Sequence, residues 1–170
     1  LKVLDASRLL PAALCTQLLG DLGADILKVE EPGRGDYQRG FPPIGKVDSG
    51  TFLLCNRNKR SMTLNLKHEE GKRIFRELAA QSDVVVEGFR PGVMDRLGLG
   101  YEELRKINPR LVYCAISGYG QDGPYRRVAG HDLNYLGVIG ALPLFGKVGE
   151  GPMVPGLLAA DIGASMIGAW

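Results

Sequence analysis

LKVLDASRLLPAALCTQLLGDLGADILKVE, residues 1–30, is the stretch of sequence that decides the fold. Leu1–Ala6 predicts a short buried strand and Ala24–Glu30 predicts a second one. Between them, Pro11–Leu22 has apolar residues at helical spacing, with a proline suited to the first turn. A strand, a helix and a strand in this order form the unit from which parallel sheets are built. We therefore expect an α/β fold with a Rossmann-like, mostly parallel sheet flanked by helices.

The rest of the chain continues this alternation. The apolar segment DVVVE at 83–87 is typical of a strand in a sheet that is covered on both faces. The segment 31–50 is rich in glycine, proline and charge, and it predicts a long loop. The other predicted strands are Met62–Leu66 and Leu111–Ser117, and the other predicted helices are Glu69–Gln81, Val93–Leu97, Tyr101–Ile107, His131–Leu142 and Ala160–Trp170.

Composition limits the classes of partner. The chain has 170 residues, a net charge of +2 and 24 % charged residues, so no strong positive field would attract nucleic acid. No apolar run reaches the roughly 18–20 residues that span a bilayer, and no signal peptide is visible. We expect a cytoplasmic protein without nucleic-acid or membrane partners. Because Leu1 lies inside a predicted strand and Trp170 inside a predicted helix, we interpret residues 1–170 as one N-terminal domain of a longer protein.

The cysteines and histidines predict no metal site. The three cysteines are far apart in the sequence, and none has metal-ligand spacing to another cysteine or to a histidine, so we expect reduced thiols. His68 begins an amphipathic helix and is interpreted as an exposed residue. His131 in AGHDLNY leads an apolar stretch, and a histidine at the start of a helix can act as a neutral base or simply cap the helix.

Asp161 is the second candidate for chemistry. It is the only carboxylate in an otherwise apolar segment, where a buried acid without a partner costs free energy. It could be the N-cap of the last helix, a reactive carboxylate, or both. Arg90, between Phe89 and Pro91, follows a predicted strand at the edge where α/β folds bind ligands. The basic run NRNKRS at 56–61 is most simply interpreted as exposed surface.

Six separated motifs together resemble one superfamily, the class III CoA-transferases and α-methylacyl-CoA racemases. They are KVEEPGRGD (28–36), NRNKRS (56–61), EGFRPGVMDRLGLGYEEL (87–104), SGYGQDGP (117–124), AGHDLNY (129–135) and AADIG (159–163). The resemblance covers the whole chain. It implies an acyl-CoA substrate, no other tightly bound cofactor, a missing second domain, and an interlocked homodimer in the full-length protein.

The resemblance also implies roles for residues. Asp161 falls on the family's catalytic aspartate. His131 matches the histidine that works with this aspartate in the racemase branch, where the transferase branch often has a different residue. The residues that would contact coenzyme A are Leu64, Asn65, Leu66, Lys67, Gly88, Phe89, Arg90, Arg96, Ala129 and Gly130. Two positions depart from the family pattern. Glu31 stands where several members have an arginine against the CoA phosphates, with Arg34 near enough to substitute, and Leu10–Pro11 stands where a transferase commonly has a glutamine.

Three functions follow from these residues. The leading hypothesis is racemisation at C2 of a 2-methylacyl-CoA, with His131 and Asp161 exchanging the proton on opposite faces. The alternative is CoA transfer between an acyl-CoA and a carboxylate through an acyl-aspartyl anhydride at Asp161. The third is a non-catalytic CoA-binding module.

Overall fold

A five-stranded parallel sheet forms the centre of the protein. The computed structural model describes all of residues 1–170. The strands lie in the order β3-β2-β1-β4-β5, and every pairing is parallel. Their bounds are Lys2–Ala6 (β1), Asp25–Glu30 (β2), Lys59–Thr63 (β3), Val84–Glu87 (β4) and Val112–Ala115 (β5). The predicted α/β class with a Rossmann-like parallel sheet is thus confirmed.

Seven helices surround this sheet. They are Ala12–Asp21 (α1), Gly50–Asn56 (α2), Glu69–Ala80 (α3), Val93–Leu97 (α4), Tyr101–Ile107 (α5), Asp132–Val138 (α6) and Ala159–Ala169 (α7). Two short 3-10 turns lie at Tyr37–Gly40 and Leu142–Leu144. None of the helices combines the length and the apolar character needed to cross a bilayer.

The alternation of side chains along the strands builds one core on each face of the sheet. Leu4 of β1 packs in a cluster with Phe75 of α3 and Leu104 of α5. Its neighbour Val3 packs on the other face, with Cys15 of α1. Successive side chains of a strand point to opposite faces, so a strand that is apolar on consecutive positions must be covered on both.

Helix α7 lies against α1 on the second of these faces. The Ser165 hydroxyl of α7 donates a hydrogen bond of 2.9 Å to the carbonyl of Pro11, at the start of α1. A Cβ on Gly168 would lie 3.2 Å from the Cys15 sulfur, so the two helices approach closely at this glycine. The last helix of the chain is therefore held beside the first one.

Strand β3 differs from its prediction. We predicted Met62–Leu66, but the strand begins at Lys59 inside the basic run that we interpreted as exposed. Only 1 % of the Lys59 side chain is accessible, and its Nζ lies 2.9 Å from Asp5 Oδ2 and 2.7 Å from the carbonyl oxygen of Ala13. Lys59 is therefore buried because its charge is paired with that of Asp5 in β1.

Two helices also differ from their predictions. Helix α2, at Gly50–Asn56, begins where the predicted loop ends and was not anticipated. The predicted helix His131–Leu142 is shorter, because it ends at Val138 and Gly140 then takes a φ of +72°. Glycine adopts such a conformation without the steric cost that a Cβ brings, so it interrupts the helical pattern here.

Candidate active site

One cavity opens at the carboxyl edge of the sheet between β1 and β4. The chain leaves β1 toward β2 on one side and enters β4 on the other, so the strand order reverses at this point. Crevices at such reversals are where open α/β sheets bind ligands. The cavity has a volume of about 470 Å³ and is lined by the segments Arg8–Pro11, Gly88–Pro91, Ile116–Tyr119 and Val128–His131, together with Tyr37, Arg126, Tyr135, Ala160, Asp161 and Ala164.

His131 and Asp161 lie on the wall of this one cavity. His131 is the residue before α6, and its backbone N–H donates a 2.9 Å hydrogen bond to the Asn134 side chain, which fixes the start of that helix. Asp161 lies in the first turn of α7 and is half-buried. The structure thus brings together the two residues that the sequence singled out, from the beginnings of two different helices.

Asp161 is not the N-cap of α7, which corrects one of the two roles we considered. The N-cap position belongs to Leu158, whose side chain offers no acceptor. The acceptor comes from Asp132, which is only 3 % exposed. Its Oδ1 accepts hydrogen bonds from the backbone N–H groups of Ala160, at 2.7 Å, and Asp161, at 3.0 Å. The Asp161 side chain is therefore left to line the cavity.

The surroundings of Asp161 favour its protonated form. Burial raises the pKa of the Asp161 carboxyl above its usual value, and the negative charge of Asp132 raises it further. The nearby His131 acts in the opposite direction, though less strongly. Burial and the charge of Asp161 likewise raise the pKa of Tyr135, which lines the same cavity. Perturbed acids of this kind are common at functional sites.

The residues expected to contact coenzyme A fall into two groups. Gly88, Phe89, Arg90, Ala129 and Gly130 line the cavity. Leu64, Asn65, Leu66, Lys67 and Arg96 lie outside its lining. Residues 64–67 still follow β3 at the carboxyl edge of the sheet, where Asn65 and Lys67 are exposed. The Leu64 side chain itself packs into the core, so only its backbone could face a ligand.

Arg8 belongs to the cavity and was missed in the sequence. Its guanidinium lies 5.2 Å from the centroid of the Phe89 ring, and it forms a 2.8 Å ion pair with Glu31. It also donates a 3.1 Å hydrogen bond to the Tyr37 hydroxyl. The same signal that selected Arg90, a position just after a strand, applies to Arg8 after β1. Glu31 thus carries an arginine partner, while Arg34 lies 5.8 Å from the Tyr37 ring centroid.

Tyr135 supports the turn that precedes His131. Its hydroxyl donates a 2.6 Å hydrogen bond to the Gly130 carbonyl, and its ring packs edge-on against Tyr119 with centroids 5.0 Å apart. A Cβ on Gly118 would lie 2.3 Å from this ring, and one on Gly130 would lie 2.7 Å from it. Gly118 and Gly130 therefore leave the space that the Tyr135 ring occupies. No pattern in the sequence predicted this role for the two glycines.

No group of three or more His, Cys, Asp or Glu side chains comes together in the arrangement that a metal ion needs. The polar side chains of the cavity are instead three arginines, three tyrosines, a serine, one histidine and one aspartate. Arginine and aromatic residues suit an anionic ligand with an apolar or aromatic part. The residues of this cavity therefore suit an organic anion as ligand.

Comparison with known proteins agrees with this geometry. The family model of CoA-transferase family III matches residues 1–170. The chain is 48 % identical over 157 residues to the succinyl-CoA–L-malate CoA-transferase beta subunit of Chloroflexus aurantiacus, covering 92 % of this chain and 39 % of that protein. It is 41 % identical over 162 residues to human alpha-methylacyl-CoA racemase, covering 95 % of this chain and 38 % of that protein.

The fold has a close counterpart among solved structures. A CAIB/BAIF family protein from Brucella suis superimposes with a TM-score of 0.94 and 40 % sequence identity, covering 99 % of this chain and 46 % of that chain. The present chain therefore spans less than half the length of each of these proteins.

Proposed function

The chain belongs to CoA-transferase family III, and on that premise we propose that the protein containing it racemises an acyl-CoA at C2 by 1,1-proton transfer. The observation that supports this proposal is the placement of His131 and Asp161 on the wall of one cavity. Proton removal and return on opposite faces of one carbon require two such groups. The relatives include both transferases and racemases, so the choice between them is made on the site.

In the proposed reaction the imidazole of His131 removes the C2 proton of the acyl group and the thioester becomes an enolate. Asp161, in its carboxylic acid form, returns a proton to the opposite face of C2. The result is an inverted centre, a protonated His131 and an ionised Asp161. The raised pKa of Asp161 suits this role, because a carboxyl group must hold a proton in order to donate one. The reverse direction exchanges the two roles.

The cavity also offers positive charge for the anionic intermediate. Arg8, Arg90 and Arg126 line it. Fixed charges near a developing anion lower the free energy of the transition state more than that of the neutral substrate. We further propose that coenzyme A, as part of the substrate, contacts Leu64–Lys67, Gly88–Arg90, Arg96 and Ala129–Gly130, with no metal ion or other tightly bound cofactor taking part.

Deuterium exchange at C2 tests the proposal. The full-length protein in D₂O should exchange the C2 proton of a 2-methylacyl-CoA and invert its configuration. We expect His131→Ala to lower the exchange rate by roughly 10²–10⁴-fold, the usual contribution of a positioned acid or base. His68→Ala removes the other imidazole, from an exposed position before α3, and serves as the control. Unchanged exchange in His131→Ala would exclude this mechanism.

CoA transfer is the second candidate, and the 48 % identity to a transferase subunit favours it. Here the ionised Asp161 carboxylate attacks the thioester carbonyl, the bond to sulfur breaks, and CoA leaves as a thiolate. The acyl-aspartyl anhydride then reacts with the incoming carboxylate. Hydroxylamine should trap the acyl group on Asp161 in the presence of acyl-CoA. An adduct formed equally well in His131→Ala would select transfer over racemisation.

We also propose that the full-length protein is an interlocked homodimer and works in the cytoplasm. Apolar side chains are exposed on α7 and in the segment before it, among them Ile139, Leu144, Val154 and Ile167. Exposed apolar surface of this kind is common at interfaces between chains, because water does not solvate it favourably, and this supports the proposed dimer. Light scattering on the full-length protein should give twice the mass of one chain.

A further inference from the structure

We propose that Asp132 is a positioning residue, whose carboxylate fixes the first turn of α7 and thereby the place of the Asp161 carboxyl group on the cavity wall. Asp132 does not line the cavity, so it acts on the reaction only through Asp161. The positioning itself can be measured without turnover. Its effect on catalysis rests on the proposed function.

Helix α7 begins after a residue that cannot cap it. The first N–H groups of a helix have no acceptor within the helix, and a side chain of the preceding residue commonly supplies one. Leu158 precedes α7 and cannot do so. Asp132 Oδ1 instead accepts from Ala160 and Asp161, from 28 and 29 positions earlier in the sequence. The end of α7 that carries Asp161 is therefore attached to α6.

This attachment joins the start of α6, which follows His131, to the start of α7, which carries Asp161. Asp132 is the first residue of α6 and directly follows His131. Its side chain holds the backbone of Ala160 and Asp161, so the helix that follows His131 also fixes the turn that carries Asp161. A second attachment of α7 is at Ser165, one helical turn after Asp161. The Ser165 hydroxyl donates a hydrogen bond to the Pro11 carbonyl at the start of α1. Removal of the Asp132 carboxylate should leave α7 packed on α1 but release its first turn.

The negative charge of Asp132 has an effect of its own on Asp161. Asp132 Oδ2 is buried and has no hydrogen-bond partner in the protein. A neutral asparagine could accept the same two N–H bonds, so the cap alone does not require a carboxylate. The charge has a consequence at Asp161, because a negative neighbour in a buried place favours the protonated acid. The other titratable groups near Asp161 are His131, which opposes this effect, and Tyr135.

Two substitutions separate position from charge. Asp132→Asn keeps an acceptor oxygen and removes the charge, whereas Asp132→Ala removes both. Asp25→Asn is the matched control, because it removes one negative charge from an exposed residue at the opposite edge of the sheet. Amide hydrogen exchange at Ala160 and Asp161 reports position. The carboxyl ¹³C chemical shift of Asp161, followed against pH, reports its protonation.

We expect Asp132→Ala to speed amide exchange at residues 160 and 161 roughly fivefold, which is the usual effect of a lost N-cap. In Asp132→Asn exchange should stay near the wild-type rate while the Asp161 titration moves to lower pH. In full-length protein the pH profile of kcat should move in the same direction, with KM changing less than kcat. If Asp132→Ala fails to fold, the wild-type protein decides the question, because amides of Ala160 and Asp161 that exchange as fast as unprotected ones would overturn the positioning.

The proposal is overturned if a folded Asp132→Ala protein exchanges the amides of residues 160 and 161 no faster than the wild type. An Asp161 titration that stays in place in Asp132→Asn overturns the effect assigned to the charge of Asp132. Absence of C2 exchange in the wild-type protein would reject the racemase function instead, and it would leave the result on positioning intact.

Discussion

His131 and Asp161 are 30 positions apart in the sequence, yet both line one cavity, because α6 and α7 each begin at its wall. The two helices belong to different parts of the chain, and the hydrogen bonds from the start of α7 to Asp132 hold them together.

Gly118 should tolerate no side chain. In Gly118→Ala the new Cβ would lie 2.3 Å from the Tyr135 ring, so the ring must move and its 2.6 Å hydrogen bond to the Gly130 carbonyl should be lost. We expect overpacking to cost about 1–3 kcal/mol of stability and to weaken CoA binding, because the turn before His131 shifts. Urea denaturation and calorimetric titration with CoA measure the two effects.

Gly163→Ala is the control for that substitution. Gly163 lies inside α7, and nothing lies within 4 Å of the Cβ it would gain. An alanine in a helix interior is more stable than a glycine by roughly 0.5–1 kcal/mol. We therefore expect this variant to be slightly more stable than the wild type. Equal losses in both variants would show that the contact with Tyr135 is not the cause.

Lys59 should be essential for stability. Burial by itself would raise the pKa of Asp5, but the charges of Lys28 and Lys59, together with hydrogen bonds from Ser7 and Thr16, lower that pKa to about 2. Lys59→Met removes the partner that lies 2.9 Å from the Asp5 carboxylate, and breaking a buried pair in this way costs about 3–5 kcal/mol. Thermal denaturation should show a large fall in Tm.

The adjacent residue provides the comparison for Lys59. Arg60 forms an exposed ion pair with Asp25 at 2.8 Å, and exposed pairs contribute about 0–1 kcal/mol. Arg60→Met should therefore change the Tm little. A similar loss in the two variants would mean that burial of the Lys59–Asp5 pair does not determine its contribution.

Glu87 should make stability depend on pH. It is 6 % exposed, and burial raises its pKa to about 7, against 4.5 for the unperturbed group. The folded protein then holds a proton that the unfolded chain releases, so this contribution to stability is complete below pH 4.5 and is lost as pH rises through 7. The change between these limits is on the order of 3 kcal/mol.

The test compares Glu87→Gln with the wild type in urea at pH 5 and pH 8. The amide cannot ionise, so the variant should lose less stability between the two pH values than the wild type does. Glu102→Gln, at an exposed position of α5, should keep the wild-type pH dependence. A wild-type slope in Glu87→Gln would show that the buried carboxyl does not titrate in this range.

Arg90 should contribute to CoA binding. It lines the cavity, and a charge-assisted hydrogen bond to a phosphate is worth about 1.5–3 kcal/mol. Arg90→Ala should raise the Kd for CoA by at least roughly tenfold and reduce its dependence on salt. Arg110→Ala removes an exposed arginine before β5, at the other edge of the sheet, and should leave the Kd unchanged.

Turnover and CoA binding, measured together on Asp161→Ala, distinguish an enzyme from a CoA-binding module. Asp161→Ala should abolish turnover in the full-length protein under either proposed reaction, while a binding module would bind CoA with or without Asp161 and turn over no acyl-CoA. Turnover in the wild-type protein that disappears in Asp161→Ala would exclude the module.

The sequence by itself determined the class of fold and most of the elements, and it indicated the two candidate residues that line the cavity. Strand and helix periodicities are local properties, so LKVLDA and DVVVE could be assigned without their neighbours. His131 and Asp161 were found because each lies in a short motif. The rule that ligands bind at strand ends selected Arg90, and it would have selected Arg8 if applied to β1.

Only the tertiary structure decided which residues meet across the chain. Lys59 is buried because it reaches Asp5 of β1, which lies two strands away in the sheet and 54 positions away in the sequence. No local pattern distinguishes such a lysine from an exposed one. The cap of α7 comes from Asp132, not from the residue before the helix. A buried polar group forms its hydrogen bond with a partner that is close in space. Which residues are close in space depends on how the helices and strands pack, and the order of residues alone does not show this.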